Sequence, residues 1–374
     1  MDLAASAQAT AFASLRETAA TPHELDSYRG VLTPRALDAP EAESAALATG
    51  AAGHDLGWIR RVAVRGEDRF RWLSGMVTNT VHDLADNRGA WNLVLNAQGR
   101  IQGDLTVWRE DDNLELEIEA AQYERLLAHF ERFIIMDDVE LVPLSGEAAL
   151  GLTGPAAHKV LERLGLPVLA EPMTRTRLEW NGMNLGVSRC FGASAEHYAL
   201  WAPETHMGRV WQYLRAAGAG RAGCVSLDAF RIAEGIPAFG ADIVERDLPQ
   251  ETSQMRALSF SKGCYLGQEI VERIRSRGNV HRHLRHLELV GQEPAGQAPP
   301  AGTELLAHDG AVAGQIRSAA ALILEAGQAG EAGKRIFALA MIRAEAEVRE
   351  QTFSYSAGPA SGTARLLAEP PSFQ

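Results

Sequence analysis

The chain has 374 residues, of which 46% are hydrophobic and 22% are charged, a composition typical of soluble globular proteins. Its length exceeds that of an average single domain and predicts two or three. The formal net charge of −12 argues against non-specific nucleic-acid binding by the surface as a whole, although it leaves room for a local basic patch.

Cysteine usage and hydropathy indicate the compartment. Cys190, Cys224 and Cys264 are odd in number and lack the close spacing of metal-binding pairs, so a disulfide framework is not expected. No apolar run approaches the roughly 20 residues that span a bilayer. The Ala-rich first twenty residues include acidic side chains and lack the basic start of a leader. We therefore expect a cytoplasmic protein with no membrane partner, in which residues 1–40 form an Ala-rich segment that is partly helical and partly mobile.

Two similar strand-and-helix units follow one another along the chain. An alternating strand at 60–64 leads into a turn at Gly66 and then into apolar residues at helical spacing. A later strand leads into Gly154 and a second helix in the same way. In both units a leucine follows the turn glycine after seven residues. This repetition predicts two α+β halves, at about 41–140 and 141–280.

Each half is expected to add antiparallel strands and a closing helix, because turn signals separate its apolar segments. The predicted elements are strands 91–96, 101–109 and 114–118 with a helix at 122–133, and then strands 177–180 and 183–189 with a helix at 203–215. A Pro-, Ala- and Gly-rich interval at 291–302 marks a linker or long loop. Short strand-like segments follow at 311–316 and 336–342, separated by a small, acidic stretch at 325–333.

The octapeptide from Lys262 to Glu269, Lys-Gly-Cys-Tyr-Leu-Gly-Gln-Glu, has the strongest chemical character in the chain. Glycines near Cys264 allow a sharp bend that exposes its side chain. A neighbouring cation can lower the pKa of a thiol, and the thiolate is the reactive form. Only three of the 36 basic residues are lysines, so Lys262 is a notable choice. The structural alternative is a small, buried cysteine on a turn.

Together with Arg273 and Gly278, this octapeptide resembles the K-G-C-[FY]-x-G-Q-E signature of the YgfZ family. These are folate-binding proteins related to the T-protein, the aminomethyltransferase of the glycine cleavage system. Further blocks agree in the same order: 64–68, 95–100, 231–237 with 240–243 (R-I-x-x-G-I-P…G-x-D-I), and 248–251 (L-P-x-E). The resemblance implies an α+β fold, in which a pseudo-duplicated, T-protein-like folate-binding region at 41–280 precedes a small C-terminal β-barrel at 281–374.

The resemblance also implies a tetrahydrofolate site formed by Asp104, Glu196 and Arg231. T-proteins have an adjacent pair of aspartates on the corresponding strand, and Gly103 stands here in place of the first. Their folate-binding glutamate corresponds to Ala195. Glu196 could replace it only after a one-residue shift, and strand alternation would aim Glu196 at the opposite face.

Two of these residues have a structural alternative to a folate contact. Asp104 could lie on the polar face of its strand and pair with an arginine, because a buried carboxylate needs a partner. Arg231 could form an ion pair with Glu234 or Asp242 instead of meeting a carboxylate or carbonyl edge of folate.

Arginines and histidines are concentrated between residues 273 and 286. An anion-binding edge, for RNA phosphate or the folate glutamate tail, is one interpretation of this cluster, and a solvated arginine face is the other. The candidates for RNA contact are Arg273, Arg275, Arg277, Arg282 and Arg285.

These features predict a tetrahydrofolate-binding protein that supports iron–sulfur cluster assembly or repair and, through iron–sulfur enzymes, tRNA modification. Its partners would be folate and iron–sulfur client or assembly proteins. The predicted site consists of Cys264 and Lys262 within a motif completed by Gly263, Tyr265, Gly267, Gln268 and Glu269, and no metal ligand is assigned. Classical enzyme activity is not expected. The alternative is a tetrahydrofolate-dependent aminomethyltransferase acting on a small amine, although T-proteins have K-x-D-F-x-G in place of the cysteine motif.

Overall fold

The N-terminal part of the described chain is a β-hairpin. The computed structural model describes residues 24–278, 280–292, 297–324, 333–358, 360–371 and 373. Most of the predicted segment 1–40 lies outside them, and its described part forms strands β1 (Leu25–Tyr28) and β2 (Val31–Pro34) where partial helix was expected. Arg29 and Gly30 between them have positive φ angles of 50° and 90°, as a two-residue hairpin turn requires. Helix α1 (Pro40–Ala48) and strand β3 (Ala52–Asp55) follow.

The first half is a five-stranded antiparallel sheet with two helices. Its elements are β4 (Ile59–Arg65), α2 (Arg69–Met76), β5 (Gly89–Leu95), β6 (Ile101–Glu110), β7 (Asn113–Glu119), α3 (Ala120–Glu131) and β8 (Glu140–Leu144). The strand order is β5-β6-β7-β4-β8. Leu73 of α2 and Phe130 of α3 are fully buried against the sheet, because both helices present one apolar face.

The second half repeats this arrangement. Its elements are β9 (Glu147–Gly154), α4 (Ala157–Arg163), β10 (Thr174–Trp180), β11 (Met183–Arg189), β12 (Glu196–Pro203), α5 (Met207–Ala216) and β13 (Gly220–Arg221). The strand order is β10-β11-β12-β9-β3-β13, and its first four strands correspond to β5-β6-β7-β4 of the first sheet. Gly66 and Gly154 both have positive φ, and a Cβ at either would overlap a backbone carbonyl oxygen. The same turn residue therefore begins both helical segments, as the sequence predicted.

The third region connects the halves to a closed barrel. It consists of α6 (Cys224–Ala233), 3₁₀ helices at Pro249–Thr252 and Met255–Ala257, and α7 (Gln268–Arg277). The barrel elements are β14 (Arg282–Gln292), β15 (Glu304–Leu306), β16 (Val312–Ile323), β17 (Lys334–Arg343), α8 (Ala344–Arg349), β18 (Thr352–Ala357) and β19 (Ala360–Leu366). The strands close in the order β14-β17-β16-β15-β18-β19, so the expected C-terminal barrel is confirmed.

The predicted strands and helices between residues 59 and 216 are present, with ends that shift by a few residues. The largest difference is the helix predicted at 203–215, which begins at Met207 because Glu204–His206 forms a separate 3₁₀ helix. Of the acidic stretch 325–333, only residue 333 is described. Within the described part of the chain, no helix is both long and apolar enough to cross a bilayer.

One apolar cluster joins three parts of the molecule. It unites Leu93 and Ile101 from the first half, Tyr265 and Val271 from the third region, and Leu339 from the barrel, all of them buried. Because these side chains pack into one core, the first half, the third region and the barrel are held together by close packing.

Candidate functional site

The cysteine loop (residues 258–267) connects the 3₁₀ helix Met255–Ala257 to α7. Cys264 is a free, exposed cysteine at this position. The next residue, Tyr265, is only 7% exposed and packs in the shared core. The Leu266 N–H donates to the Gly75 carbonyl at 2.9 Å, which fastens the loop to α2. The thiol therefore faces solvent from a loop that is anchored immediately after it.

Lys262 holds the loop from the other side. Its Nζ donates to the carbonyl oxygens of Ser74 at 2.6 Å, Val77 at 2.5 Å and Asn79 at 3.0 Å. Ser74 lies in the last turn of α2, Val77 caps the helix and Asn79 follows it. Carbonyls at a helix C-terminus lack helical partners, and the helix dipole favours a cation there. Burial lowers the pKa of Lys262 to about 7.

The ammonium of Lys262 therefore caps a helix of the first half. Among the described residues, no hydrogen bond or ion pair joins it to Cys264. The described residues therefore show no direct contact through which Lys262 would favour the thiolate form of Cys264, the effect that the sequence predicted. An anchoring role accounts for a compact ammonium here, because three converging carbonyls suit its three donors.

The glycines of the motif serve different purposes. Gly267 has φ of +81°, and a Cβ there would lie 2.5 Å from the Asn96 carbonyl oxygen, in the turn between β5 and β6. Gly99 of that turn has φ of +69°, and its Cβ would lie 2.8 Å from Cβ of Ile270. Gly263, in contrast, has open space around it. The turn and the loop thus interlock at Gly99 and Gly267, while the segment around Cys264 stays uncrowded.

Gln268 and Glu269 contribute mainly as the first residues of α7. The Gln268 N–H donates to the Tyr265 carbonyl at 3.1 Å, so the backbone of Gln268 closes the loop. The Glu269 side chain is exposed.

Asp104 is held by two side chains that the sequence reasoning missed. Its Oδ1 accepts from Nε2 of Gln122 at 2.7 Å, and its Oδ2 accepts from Nε1 of Trp91 at 3.1 Å. The Gln122 Oε1 accepts the Asp104 N–H in return, at 3.0 Å. Burial and the nearby charge of Glu119 raise the pKa of Asp104 to about 6. The predicted hairpin register could have revealed Trp91, because diagonal cross-strand neighbours share a face.

The place of a second acid beside Asp104 is already filled. A Cβ at Gly103 would lie 2.7 Å from Oε1 of Gln122 and 2.9 Å from Cδ2 of Leu126. Both atoms belong to α3, which packs across this strand. A side chain at position 103 would therefore require the side chains of Gln122 and Leu126 to move.

Arg231 is engaged in ion pairs. Its Nη1 donates to Asp242 at 2.5 Å and its Nε donates to Asp228 at 2.7 Å. Of the two alternatives stated for this residue, the structure has the Asp242 pair, and Glu234 pairs with His197 instead. Because Nη1 also donates to the Ile236 carbonyl at 3.1 Å, three of the five N–H donors of this guanidinium are used.

A cavity of about 400 Å³, the central cavity, lies beside Arg231. The β1–β2 hairpin, the start of α3, helix α6 and the barrel strand β16 surround it. Its principal polar and aromatic lining residues are Tyr28, Arg29, Glu119, Asp228, Arg231 and Phe239. Arg29 is paired with Glu119, and Glu119 in turn acts on the pKa of Asp104. The cavity and Asp104 are thus electrostatically connected.

Glu196 lies outside this group. Its Oε2 accepts from the His158 backbone N–H at 2.8 Å and lies 3.0 Å from His158 Nδ1, at the N-terminal end of α4. Its other oxygen is 3.6 Å from Arg189. As strand alternation predicted, the side chain points away from the face that His197 occupies. The expected folate contact of Glu196 has no geometric support here, because the carboxylate is bound to the start of a helix.

Glu234 places a carboxylate against the backbone of Ser194 and Ala195. Its Oε1 accepts the backbone N–H groups of Ser194 and Ala195, each at 2.8 Å. Its Oε2 lies 2.6 Å from His197 Nε2. These contacts keep the pKa of Glu234 low despite its burial. Glu234 follows the end of α6, 39 residues beyond Ala195, so no local sequence signal points to this contact.

Arg256 is a further residue that the sequence reasoning missed. Its guanidinium carbon lies 4.2 Å from the Trp91 ring centre and 3.6 Å from that of Phe191, so the cation is held between two aromatic rings. Burial lowers the pKa of Arg256 to about 10, although the Asp104 charge opposes this. Arg256 also lines a second cavity of about 370 Å³, together with Glu234 and His286.

The basic cluster separates into two groups. Arg273, Arg275 and Arg277 are exposed on α7, and Arg275 also lies over the Phe260 ring. In β14, by contrast, Arg282 pairs with Asp247 and Glu251, and Arg285 pairs with Glu347. The α7 arginines therefore face solvent, with Arg275 paired to Glu272 of the same helix at 3.4 Å, while acids of other elements balance Arg282 and Arg285. RNA contact through any of them stays a prediction.

Comparison with known proteins identifies the family. Residues 7–262 match the GCVT N-terminal domain. The chain belongs to this family. It is 24% identical over 273 residues to the aminomethyltransferase of Caldanaerobacter subterraneus subsp. tengcongensis, covering 71% of this chain and 73% of that protein. It is 26% identical over 299 residues to that of Geobacillus kaustophilus, covering 77% and 80%.

The T-protein-like fold is shown independently by structure. The crystal structure of the glycine cleavage system aminomethyltransferase T from Bartonella henselae superposes with a TM-score of 0.80, covering 99% of this chain and 98% of that one. At 17% identity this likeness concerns the fold. Members of the GCVT family use tetrahydrofolate.

The central cavity of this T-protein-like chain has the properties that a pterin requires. Its volume lies in the range of about 300–1,000 Å³ that is usual for small-molecule sites. Glu119 and Asp228 keep carboxylate lone pairs beyond their ion pairs with arginines, and the buried Nε of Arg29 has no hydrogen-bond partner among the described residues. Phe239 adds an aromatic surface. The residues present therefore fit tetrahydrofolate.

Proposed function

We propose that this chain is a tetrahydrofolate-binding protein of the YgfZ type that supports iron–sulfur cluster assembly or repair and, through iron–sulfur enzymes, tRNA modification. The observation that carries the proposal is the exposed thiol of Cys264 on an anchored loop. Lys262 and Tyr265 fix the loop, so the sulfur can meet a partner without the loop reorganising. In the described part of the chain, no group of three or more His, Cys, Asp and Glu could hold a metal ion. A cluster handled here would therefore depend on ligands from a partner protein.

Tetrahydrofolate would bind in the central cavity, with Arg29, Glu119 and Asp228 on its polar edges and Phe239 along its ring. When bound, it supplies the nitrogen atoms that carry one-carbon units. Glu119, which lines the central cavity, also acts on Asp104, whose pKa is raised to about 6. Asp104 can therefore change its protonation state near neutral pH.

Aminomethyl transfer is the rival function, and the names of the relatives favour it. The strand of Asp104 opposes it, because Gln122 and Leu126 occupy the space that a second acid at position 103 would need. The cysteine motif, which replaces K-x-D-F-x-G, opposes it as well.

Calorimetric titration with tetrahydrofolate and with folic acid tests the binding step. We expect saturable binding of tetrahydrofolate that weakens in Arg29→Gln, because the donor on the polar edge is removed. Arg65→Gln, an exposed arginine at the end of β4, is the matched control. Absence of binding at millimolar concentration, about −4 kcal/mol, would contradict the proposed pocket. Efficient turnover of an aminomethyl donor would favour the rival.

Complementation tests the thiol. A strain lacking its own family member would be scored by the activity of an iron–sulfur enzyme or by the content of thiolated tRNA. We expect Cys264→Ala to lose complementation and Ser261→Ala, an exposed residue of the same loop, to retain it. Full complementation by Cys264→Ala would contradict the mechanism even if folate binding were observed.

A further inference from the structure

A separate cavity of about 250 Å³ lies between the barrel and the turn that precedes the 3₁₀ helix Pro249–Thr252. Its volume is below the usual range for drug-sized ligands, so it suits a small group. Four arginines line it, Arg246, Arg282, Arg317 and Arg343, with Glu304 as the acidic residue of the lining. None of these residues lines the central cavity.

A β-bulge places Arg317 in this cavity. The pairing of β16 with β17 passes from Ile316 opposite Ala340 directly to Ser318 opposite Leu339, so Arg317 is the extra residue. Bulges redirect side chains and are frequent beside functional sites. The Arg317 side chain is 9% exposed. The strand thus departs from regular pairing at the residue that brings a buried guanidinium into the cavity.

The positive charge of this cavity is only partly balanced. Asp247 is fully buried and accepts from Arg282 at 3.0 Å and from Arg317 at 3.1 Å. The Nε of Arg317 is buried and has no hydrogen-bond partner among the described residues. Burial lowers the pKa of Arg317, and Arg246 and Arg282 add to this effect, against the opposing charge of Asp247.

The two remaining arginines, Arg246 and Arg343, can donate hydrogen bonds to a ligand. Arg246 and Arg343 are exposed, and neither forms an ion pair with the residues that the structure describes. Both lie on the cavity wall beside the partly neutralised pair. The wall therefore combines a buried guanidinium whose Nε lacks an acceptor with two solvent-facing guanidinium groups.

We propose that this cavity binds a phosphate group, either as inorganic phosphate or as the phosphomonoester of a small metabolite. A phosphate offers several oxygens in different directions, and planar guanidinium groups bind such oxygens through paired hydrogen bonds. Glu304 at the same wall opposes an anion and limits its affinity. The site is independent of the proposed folate function, because the two cavities share no lining residue.

Calorimetric titration of the full chain with inorganic phosphate, at an ionic strength held constant with sodium chloride, tests the proposal. We expect saturable binding that weakens about tenfold in Arg343→Gln, the usual effect of losing one charge-assisted hydrogen bond. Glu304→Gln should strengthen binding, because a like charge is removed. Arg65→Gln, an exposed arginine of the first half, should leave binding unchanged.

The variants separate binding from folding. Arg317→Gln should abolish binding, but it also removes a partner of buried Asp247 and can reduce stability. Arg343→Gln changes an exposed side chain, so it keeps the test decisive. A small phosphomonoester should compete with inorganic phosphate, whereas acetate at the same concentration should not. Absence of saturable phosphate binding, equal weakening by Arg65→Gln, or equal competition by acetate would each overturn the proposal, as would binding of a short oligoribonucleotide that phosphate does not displace.

Discussion

The cysteine loop and the central cavity use their charged residues in opposite ways. In the loop, the Lys262 ammonium donates to three backbone carbonyls and makes no hydrogen bond to Cys264, which is exposed. In and around the cavity, carboxylates and guanidinium groups face one another, as Arg29 does Glu119 and Arg231 does Asp228. The loop thus has an anchored backbone around the exposed Cys264 thiol, whereas the charged residues of the cavity form ion pairs with one another.

This difference shows that a strong sequence motif need not consist of reacting groups. Five of the eight motif residues contribute to anchoring: Lys262, Tyr265, Leu266, Gly267 and Gln268. The cavity residues form no compact motif, because they come from a hairpin, two helices and a barrel strand. Variants that change anchoring should therefore act on stability, and variants of the cavity should act on binding and pH dependence.

The largest stability effect is expected for Lys262→Ala. Three carbonyl oxygens at the end of α2 would lose a charged donor, and hydrogen bonds to charged groups contribute about 1.5–3 kcal/mol. We expect the free energy of unfolding to fall by about 3 kcal/mol in urea denaturation. Lys159→Ala, an exposed lysine on α4, should change it by less than about 0.5 kcal/mol. Equal stability of the two variants would break the assignment of Lys262 as an anchor.

The two glycines beside Cys264 provide the next test, since they differ in their surroundings. Gly267→Ala introduces a Cβ 2.5 Å from a carbonyl oxygen at φ of +81°, and such strain costs about 1–3 kcal/mol. Gly263→Ala meets nothing within 4 Å, so it should be tolerated. The melting temperatures of the two variants measure the difference. Similar losses would show that the loop is not clamped at Gly267.

Sequence patterns indicated an exposed Cys264, but they did not predict the anchoring role of Lys262 or the polar contacts around the cavity. Glycine spacing and hairpin turns predicted both halves, and the flanking glycines predicted an exposed Cys264. Gln122, Arg256 and Glu234 escaped because each reaches its partners across a packing interface: Gln122 from α3 to β6, and Glu234 from α6 to the Ala195 backbone. Hydrophobic periodicity determines which face of a helix is buried, but it does not identify the polar group that the buried face meets.

The cavity side of the comparison can be tested through pH, using Asp104→Asn. The pKa of Asp104 is raised from 3.8 to about 6, so its contribution to stability is fully present below about pH 4 and is lost as pH rises through 6. Asparagine cannot ionise. Between pH 4 and 7 the variant should therefore gain about 2 kcal/mol of stability relative to the parent, measured by urea denaturation at each pH. A parallel pH dependence in both proteins would show that Asp104 titrates normally.

The smallest effect on folding is expected at the residue on which the proposed function depends. Cys264→Ala removes an exposed side chain, so the free energy of unfolding should change by less than about 0.5 kcal/mol. Burial raises the pKa of Cys190 and raises that of Cys224 to about 12, which keeps both thiols unreactive at neutral pH. A chromogenic disulfide reagent should therefore titrate one fast thiol per native chain and none in Cys264→Ala, while denatured parent should show all three. A second fast thiol in the native protein, or a clear loss of stability in Cys264→Ala, would place the sulfur within the packed part of the loop and end the contrast with its anchored neighbours.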